Sequence, residues 1–136
     1  MKRTLLMAGA VLWGCAGTEA PQDLPGSGSW GVLQRGDEKI DVYRDRWGIP
    51  HVFAGTVEGA FWAQGYVQAE DRFEQMEQFR RGARGETAKV AGEKALAADT
   101  DRRMRGYTAP ELRSMFQGGK ERFRRILEAH AEGVYA

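Results

Sequence analysis

Few side chains in this 136-residue chain are equipped for chemistry: the serines Ser27, Ser29 and Ser114, the histidines His51 and His130, the acidic pairs Glu70-Asp71 and Asp99-Asp101, and the single thiol of Cys15. A serine, a histidine and a carboxylate together imply acyl transfer, with nucleophile, base and orienting acid in hydrogen-bonding sequence. No serine here sits in the Gly-x-Ser-x-Gly turn that exposes such a nucleophile. Ser27 and Ser29 lie in a Gly/Pro-rich tether, and Ser114 lies early in a capped helix, so none is assigned as nucleophile. The acidic pairs are the residue type that binds hard cations. With arginines close by, they read as ion pairs. No catalytic, cofactor-binding or metal-binding residue is therefore assigned, and Cys15 is the one site residue, for lipid attachment.

The case for Cys15 rests on its surroundings. Lys2 and Arg3 precede an apolar run from Leu5 to Ala16, too short to span a bilayer as a helix but suited to a secretory signal. The run closes Leu12-Trp13-Gly14-Cys15, similar to a bacterial lipobox, in which the thiol is acylated and the chain then cut before the cysteine. Trp13 is bulkier than that pattern prefers. Ordinary secretion, with a cut after Ala20, stays open but leaves Pro21 first in the mature chain. Residues 1–15 thus read as a signal peptide of lipoprotein type, and 16–29, with Pro21, Pro25, Gly26 and Gly28, as a flexible linker. The protein is expected to be exported, periplasmic or at the cell surface, and held at the membrane by a lipid.

Composition sets wider limits. The apolar fraction of 42% and charged fraction of 29% are those of a globular domain. The net charge is +1, and loss of Lys2 and Arg3 with the leader leaves 18 of the 20 basic residues against 19 acidic ones. That balance excludes the electrostatic footprint of a nucleic-acid binder. The arginine clusters 80–84, 102–105 and 122–125 read as solvated helix faces beside acidic neighbours. With Cys15 in the leader, the body of the chain has neither an internal disulfide nor a thiolate metal site.

The elements that position these residues begin with β-structure. Lys39–Arg44 and Ile49–Ala54, parted by Asp45-Arg46-Trp47-Gly48, predict a hairpin, with Pro50 at an edge or strand start and a further strand at Trp30–Arg35. From Thr56 to Arg81, the residues Trp62, Tyr66, Ala69, Phe73, Met76 and Phe79 recur at helical spacing. Thr56 is the expected N-cap, Gly82 and Gly85 the stop, and Gly59 and Gly65 points of close backbone approach. Short helical segments are expected at Glu86–Ala91 and Lys94–Arg105. Thr108-Ala109-Pro110-Glu111 carries a capping box, leading into Leu112, Met115 and Phe116. A last helix from about Lys120 bears the stripe Phe123, Ile126, Leu127, Ala131 and Val134, which reads as unfinished at Ala136 and predicts a truncated chain.

The segment Val-Tyr-Arg-Asp-Arg-Trp-Gly-Ile-Pro-His-Val-Phe-Ala, 42–54, resembles the opening strand pair of the penicillin amidase family of N-terminal-nucleophile hydrolases. Ala60-Phe61, Gly65-Tyr66-Val67-Gln68-Ala69-Glu70-Asp71-Arg72, Gln75-Met76, Arg80-Arg81, Gly85-Glu86, Gly92, Asp99, Arg102-Arg103 and Ala131-Glu132-Gly133 continue the likeness in order. Glu70 stands where glutamine is commoner. The resemblance implies an α+β chain: residues 30–136 as the N-terminal part of a first subunit, a β-hairpin followed by helices from a four-layer αββα sandwich. It implies a self-processing precursor whose C-terminal subunit begins with the catalytic serine, a small-molecule amide substrate, and calcium in the full-length enzyme bound at positions beyond Ala136. Penicillin-like, cephalosporin side-chain and acyl-homoserine-lactone substrates are all within its scope. His51, inside the strand motif, reads as structural. This stretch alone is then expected to be inactive, with no cofactor of its own. The competing reading is a truncated, catalytically inactive lipoprotein with at most a binding role.

Overall fold

The computed structural model describes residues 28–136; the leader, Cys15, Ser27 and nearly all of the linker lie outside them. The architecture is α+β, a three-stranded antiparallel sheet followed by helices. Strands β1 (Ser29–Arg35), β2 (Glu38–Arg44) and β3 (Pro50–Phe53) form a meander in spatial order β1-β2-β3. All three expected strand segments are present. Ser29, placed by composition in the tether, instead begins β1 and pairs with Arg44, because strand pairing extends one residue past the last apolar position.

Two tight turns fix the register. Gly36 opens the two-residue β1–β2 loop with φ of 57°, where a left-handed backbone suits the twist of the flanking strands. In the β2–β3 turn, Asp45 Oδ1 accepts from the backbone N–H groups of both Trp47 and Ile49, each at 2.9 Å. Pro50 starts the edge strand β3 opposite Arg44, a position that asks for no ladder donor.

The alternation of the strands sorts the two faces. One face presents Leu33, Ile40 and Val52 to the helices, where Ile40, Trp62, Ala63 and Ala129 form the core. The opposite face carries an aromatic row. Trp30 lies 4.9 Å from Tyr43 and 5.9 Å from Phe53 between ring centroids, and Tyr43 lies 5.9 Å from His51.

Helix α1 (Val57–Arg84) starts at Thr56, whose hydroxyl accepts from the Gly59 N–H at 2.8 Å. The helix passes through Gly82, and Gly85, with φ of 62°, ends it. At Arg72 the backbone leaves helical geometry (φ −144°, ψ 26°), dividing α1 into two runs. Its apolar stripe divides there too. Trp62, Ala63 and Val67 are buried, whereas Phe73 is 52% and Phe79 70% exposed.

The remaining elements are α2 (Ala88–Ala91), a 3₁₀ turn at Glu93–Ala95, α3 (Leu96–Arg105), α4 (Ala109–Gly118) and α5 (Glu121–Val134). The full capping box forms at Thr108 and Glu111. In α5 the expected stripe is not the buried face. Ala129 and Gly133 are buried, and Phe123 and Leu127 are exposed. The small residues win because α5 crosses α1 backbone to backbone. A Cβ on Gly65 would strike the His130 carbonyl, and one on Gly133 would strike that of Trp62. Among the described residues, no helix is long and apolar enough to cross a membrane.

Candidate functional site

A cluster of charged side chains lies where the β2–β3 turn meets the middle of α1. Arg44, the last residue of β2, donates to Asp71 Oδ2 at 3.0 Å, to Glu70 Oε2 at 2.6 Å and to the Gly48 carbonyl at 3.1 Å. The adjacent carboxylates thus share one guanidinium as an ion pair, with its partner on a strand rather than on the same helix. Hydrogen bonding to Asp71, then to Glu70, raises the Arg44 pKa above its ordinary value. Permanent charge is the outcome.

Beside it, Asp45 Oδ2 stands 3.4 Å from His51 Nε2. Partial burial pushes the Asp45 pKa up, but the N–H groups of Ile49 and Trp47, with His51, outweigh this and hold it below the usual carboxylate range. Asp45 is therefore an ionised turn-former with an imidazole at its free oxygen. His130 is elsewhere, with Nε2 3.4 Å from Gln68 Oε1.

The other acidic pair, by contrast, separates. Asp99, buried at 6% exposure, accepts from the Ala88 N–H at 2.7 Å. That bond, followed by those from Thr87, lowers its pKa, and Arg103 adds a smaller electrostatic contribution. Asp99 thus serves chiefly as an acceptor for the start of α2, a correction to the ion-pair expectation, since its carboxylate is taken up by the donors of Ala88 and Thr87. Asp101 pairs with Arg105 one turn along α3.

No described serine hydrogen-bonds to either imidazole. Ser29 lies on β1, Ser114 lies exposed on α4, and Asp45 is already committed to the turn. The cluster stores charge and fixes backbone, and offers no nucleophile for acyl transfer. The described residues hold no group of three or more His, Cys, Asp or Glu side chains arranged for a metal ion, so the calcium of the resemblance finds no fitting donor set among them. A shallow cleft of about 210 Å³ between β1, β2 and α1, lined in part by Trp30, Leu33, Tyr66 and Glu70, is smaller than pockets that enclose drug-sized ligands.

Sequence reasoning missed Glu38. Its carboxylate accepts from the Thr56 N–H at 2.9 Å and from the Thr56 hydroxyl at 2.8 Å, and so braces the start of α1. No local signal marks such a contact, because it bridges 18 residues.

Comparison with known proteins supplies what this geometry lacks. The family profile described as "Penicillin amidase" matches residues 39–136. The chain is 33% identical over 105 residues to penicillin G acylase of Escherichia coli, covering 77% of this chain and 12% of that protein. It is 39% identical over 97 residues to penicillin acylase 2 proenzyme of Pseudomonas sp. (strain SE83), covering 71% and 12%. It is 31% identical over 126 residues to the acyl-homoserine lactone acylase QuiP of Pseudomonas fluorescens (strain Pf0-1), covering 92% and 15%. Among solved structures, a thermostable penicillin G acylase from Alcaligenes faecalis superposes with a TM-score of 0.66 at 30% identity, covering 72% of this chain and 52% of that one. The chain spans 12–15% of the length of these curated relatives.

Proposed function

The chain belongs to the penicillin amidase family, and from that premise we propose that it is the N-terminal part of a self-processing acylase that hydrolyses linear amide bonds. The observation that carries this reading is the match over residues 39–136 to proteins many times longer. The chemistry would come from a serine at the head of a second subunit. Its hydroxyl adds to the amide carbonyl while its own α-amine takes the proton; the amine leaves, and water releases the acyl group. One relative's name, proenzyme, fits a precursor. Substrates are penicillin-like amides, cephalosporin side chains or acyl-homoserine lactones.

Within that enzyme, residues 30–136 would form part of an αββα sandwich. The aromatic face of the sheet supports this. Trp30 is 51% and Val32 63% exposed on a face turned away from the helices, and such a face needs a second apolar layer to cover it. Upstream, residues 1–15 would direct export, Cys15 would carry the lipid, and 16–29 would tether the enzyme to the membrane.

The test is expression of the gene with its downstream coding sequence, followed by N-terminal sequencing of the products and an assay of amine release from a phenylacetyl amide and an acyl-homoserine lactone. A serine-led second subunit with amine release is expected. An unprocessed, inactive product would abandon the acylase in favour of a lipoprotein that at most binds.

A further inference from the structure

Helix α1 bends at Arg72 with no ordinary cause in its own sequence. Helices kink at proline, at Gly/Ser pairs, or where a group intrudes on the hydrogen-bond ladder. No proline lies in α1, and its nearest glycines are Gly65 and Gly82. Immediately before the bend, however, stand the two residues gripped by Arg44. Successive side chains on a straight helix point about 100° apart. Glu70 and Asp71 nevertheless both reach one guanidinium, which is itself anchored by the Gly48 carbonyl of the β2–β3 turn.

We propose that Arg44 is a positioning residue that sets the bend of α1, and with it the direction of the second run, Phe73–Arg84, relative to the sheet. The clamp draws both carboxylates toward the end of β2, and the backbone absorbs the mismatch at the next residue, Arg72. The effect travels further, because the second run carries the elements that follow it. Gly85 closes α1 and accepts from Arg103 Nε of α3 at 2.8 Å. The shallow apolar groove bordered by Phe73, Met76, Val134 and Tyr135 lies between the second run and the end of α5, so its width also follows the bend. This inference concerns the shape of the chain and stands apart from the acylase reading.

The fork of the guanidinium is essential to the idea. Lysine keeps the charge but is a point donor, and it cannot hold two carboxylates and a carbonyl in one planar geometry. The test is a distance measurement by pulsed electron resonance on the full chain carrying Cys15→Ser, with spin labels at the exposed positions Asp37, in the β1–β2 turn, and Ala83, near the end of α1. The second run is about 18 Å long, so each ~10° of altered bend moves its end by about 3 Å. One narrow distance is expected for the otherwise unaltered chain. Arg44→Lys and the pair Glu70→Gln with Asp71→Asn are expected to shift that distance by about 3 Å or more, or to double its width, while Arg105→Lys, in a remote surface pair, leaves it unchanged. Should either clamp variant fail to fold, Asp71→Asn alone, which leaves Glu70 in place, is expected to give a smaller shift in the same direction. An unchanged narrow distance in the folded clamp variants overturns the proposal, as does a broad distribution in the unaltered chain.

Discussion

Gly133 of α5 rests directly on the carbonyl of Trp62 in α1; a Cβ there would lie 2.8 Å from the carbonyl carbon and collide with its oxygen. Gly133→Ala should therefore push the helices apart and cost about 2 kcal/mol or more. Gly65→Ala, against the His130 carbonyl, should cost a similar amount. Because both open one interface, the double variant should cost less than the sum. Urea unfolding of the two singles and the double checks this, and additivity would mean that the crossing is not shared.

Acid should loosen the second run of α1. Hydrogen bonding from Arg80 is the largest influence on Glu77; burial opposes it, hydrogen bonding from Arg81 adds to it, and the pKa is lowered to about 2. A carboxyl depressed in the folded state stabilises above its unfolded pKa, 4.5, and the benefit is lost as pH falls from there toward 2. Glu77→Gln should thus be less stable than the parent at neutral pH and nearly equal to it at pH ~2. Thermal melts at stepped pH values read the difference.

Asp99 follows the same sign through a different donor. Its pKa is lowered mainly by the Ala88 N–H, so Asp99→Asn should lose protection of the Ala88 amide at neutral pH and differ less from the parent in acid. Amide exchange resolved at that position is the measurement. Equal exchange in both proteins at neutral pH would count against the role given to Asp99.

Thr108→Ala should remove the capping box of α4 at a cost of about 1 kcal/mol, read as roughly fivefold faster exchange at Glu111 and Leu112. Because Leu112 and Met115 are more than half exposed, tertiary packing offers little to hide that loss.

Cys15→Ser should abolish incorporation of radiolabelled fatty acid and release the exported protein into the soluble fraction. Undiminished labelling would locate the lipid elsewhere, and an unlabelled but secreted parent would favour the cut after Ala20.

Local chemistry made several elements readable. The β-prone runs either side of Asp45-Arg46-Trp47-Gly48 gave the hairpin, and Thr108 with Glu111 gave the start of α4, because each signal acts within a few residues. The site was less readable. Glu70 and Asp71 looked like partners for nearby arginines, but their actual partner, Arg44, comes from a strand 26 residues away. Phe73 and Phe79 fell on a helical stripe, yet past the bend at Arg72 both are exposed, since periodicity shows neither where an axis turns nor what lies opposite a face.

By itself the sequence determined the order and type of the elements, the family to which they belong, and the caps that start α1 and α4. These depend on backbone preference and on interactions across one turn. Only the tertiary structure decided that small residues, not the bulky stripe, face inward from α5, that Glu38 braces α1, and that one guanidinium gathers two carboxylates at a bend. Those outcomes depend on which distant backbones approach most closely, and close approach is a property of packed pairs that no single segment carries.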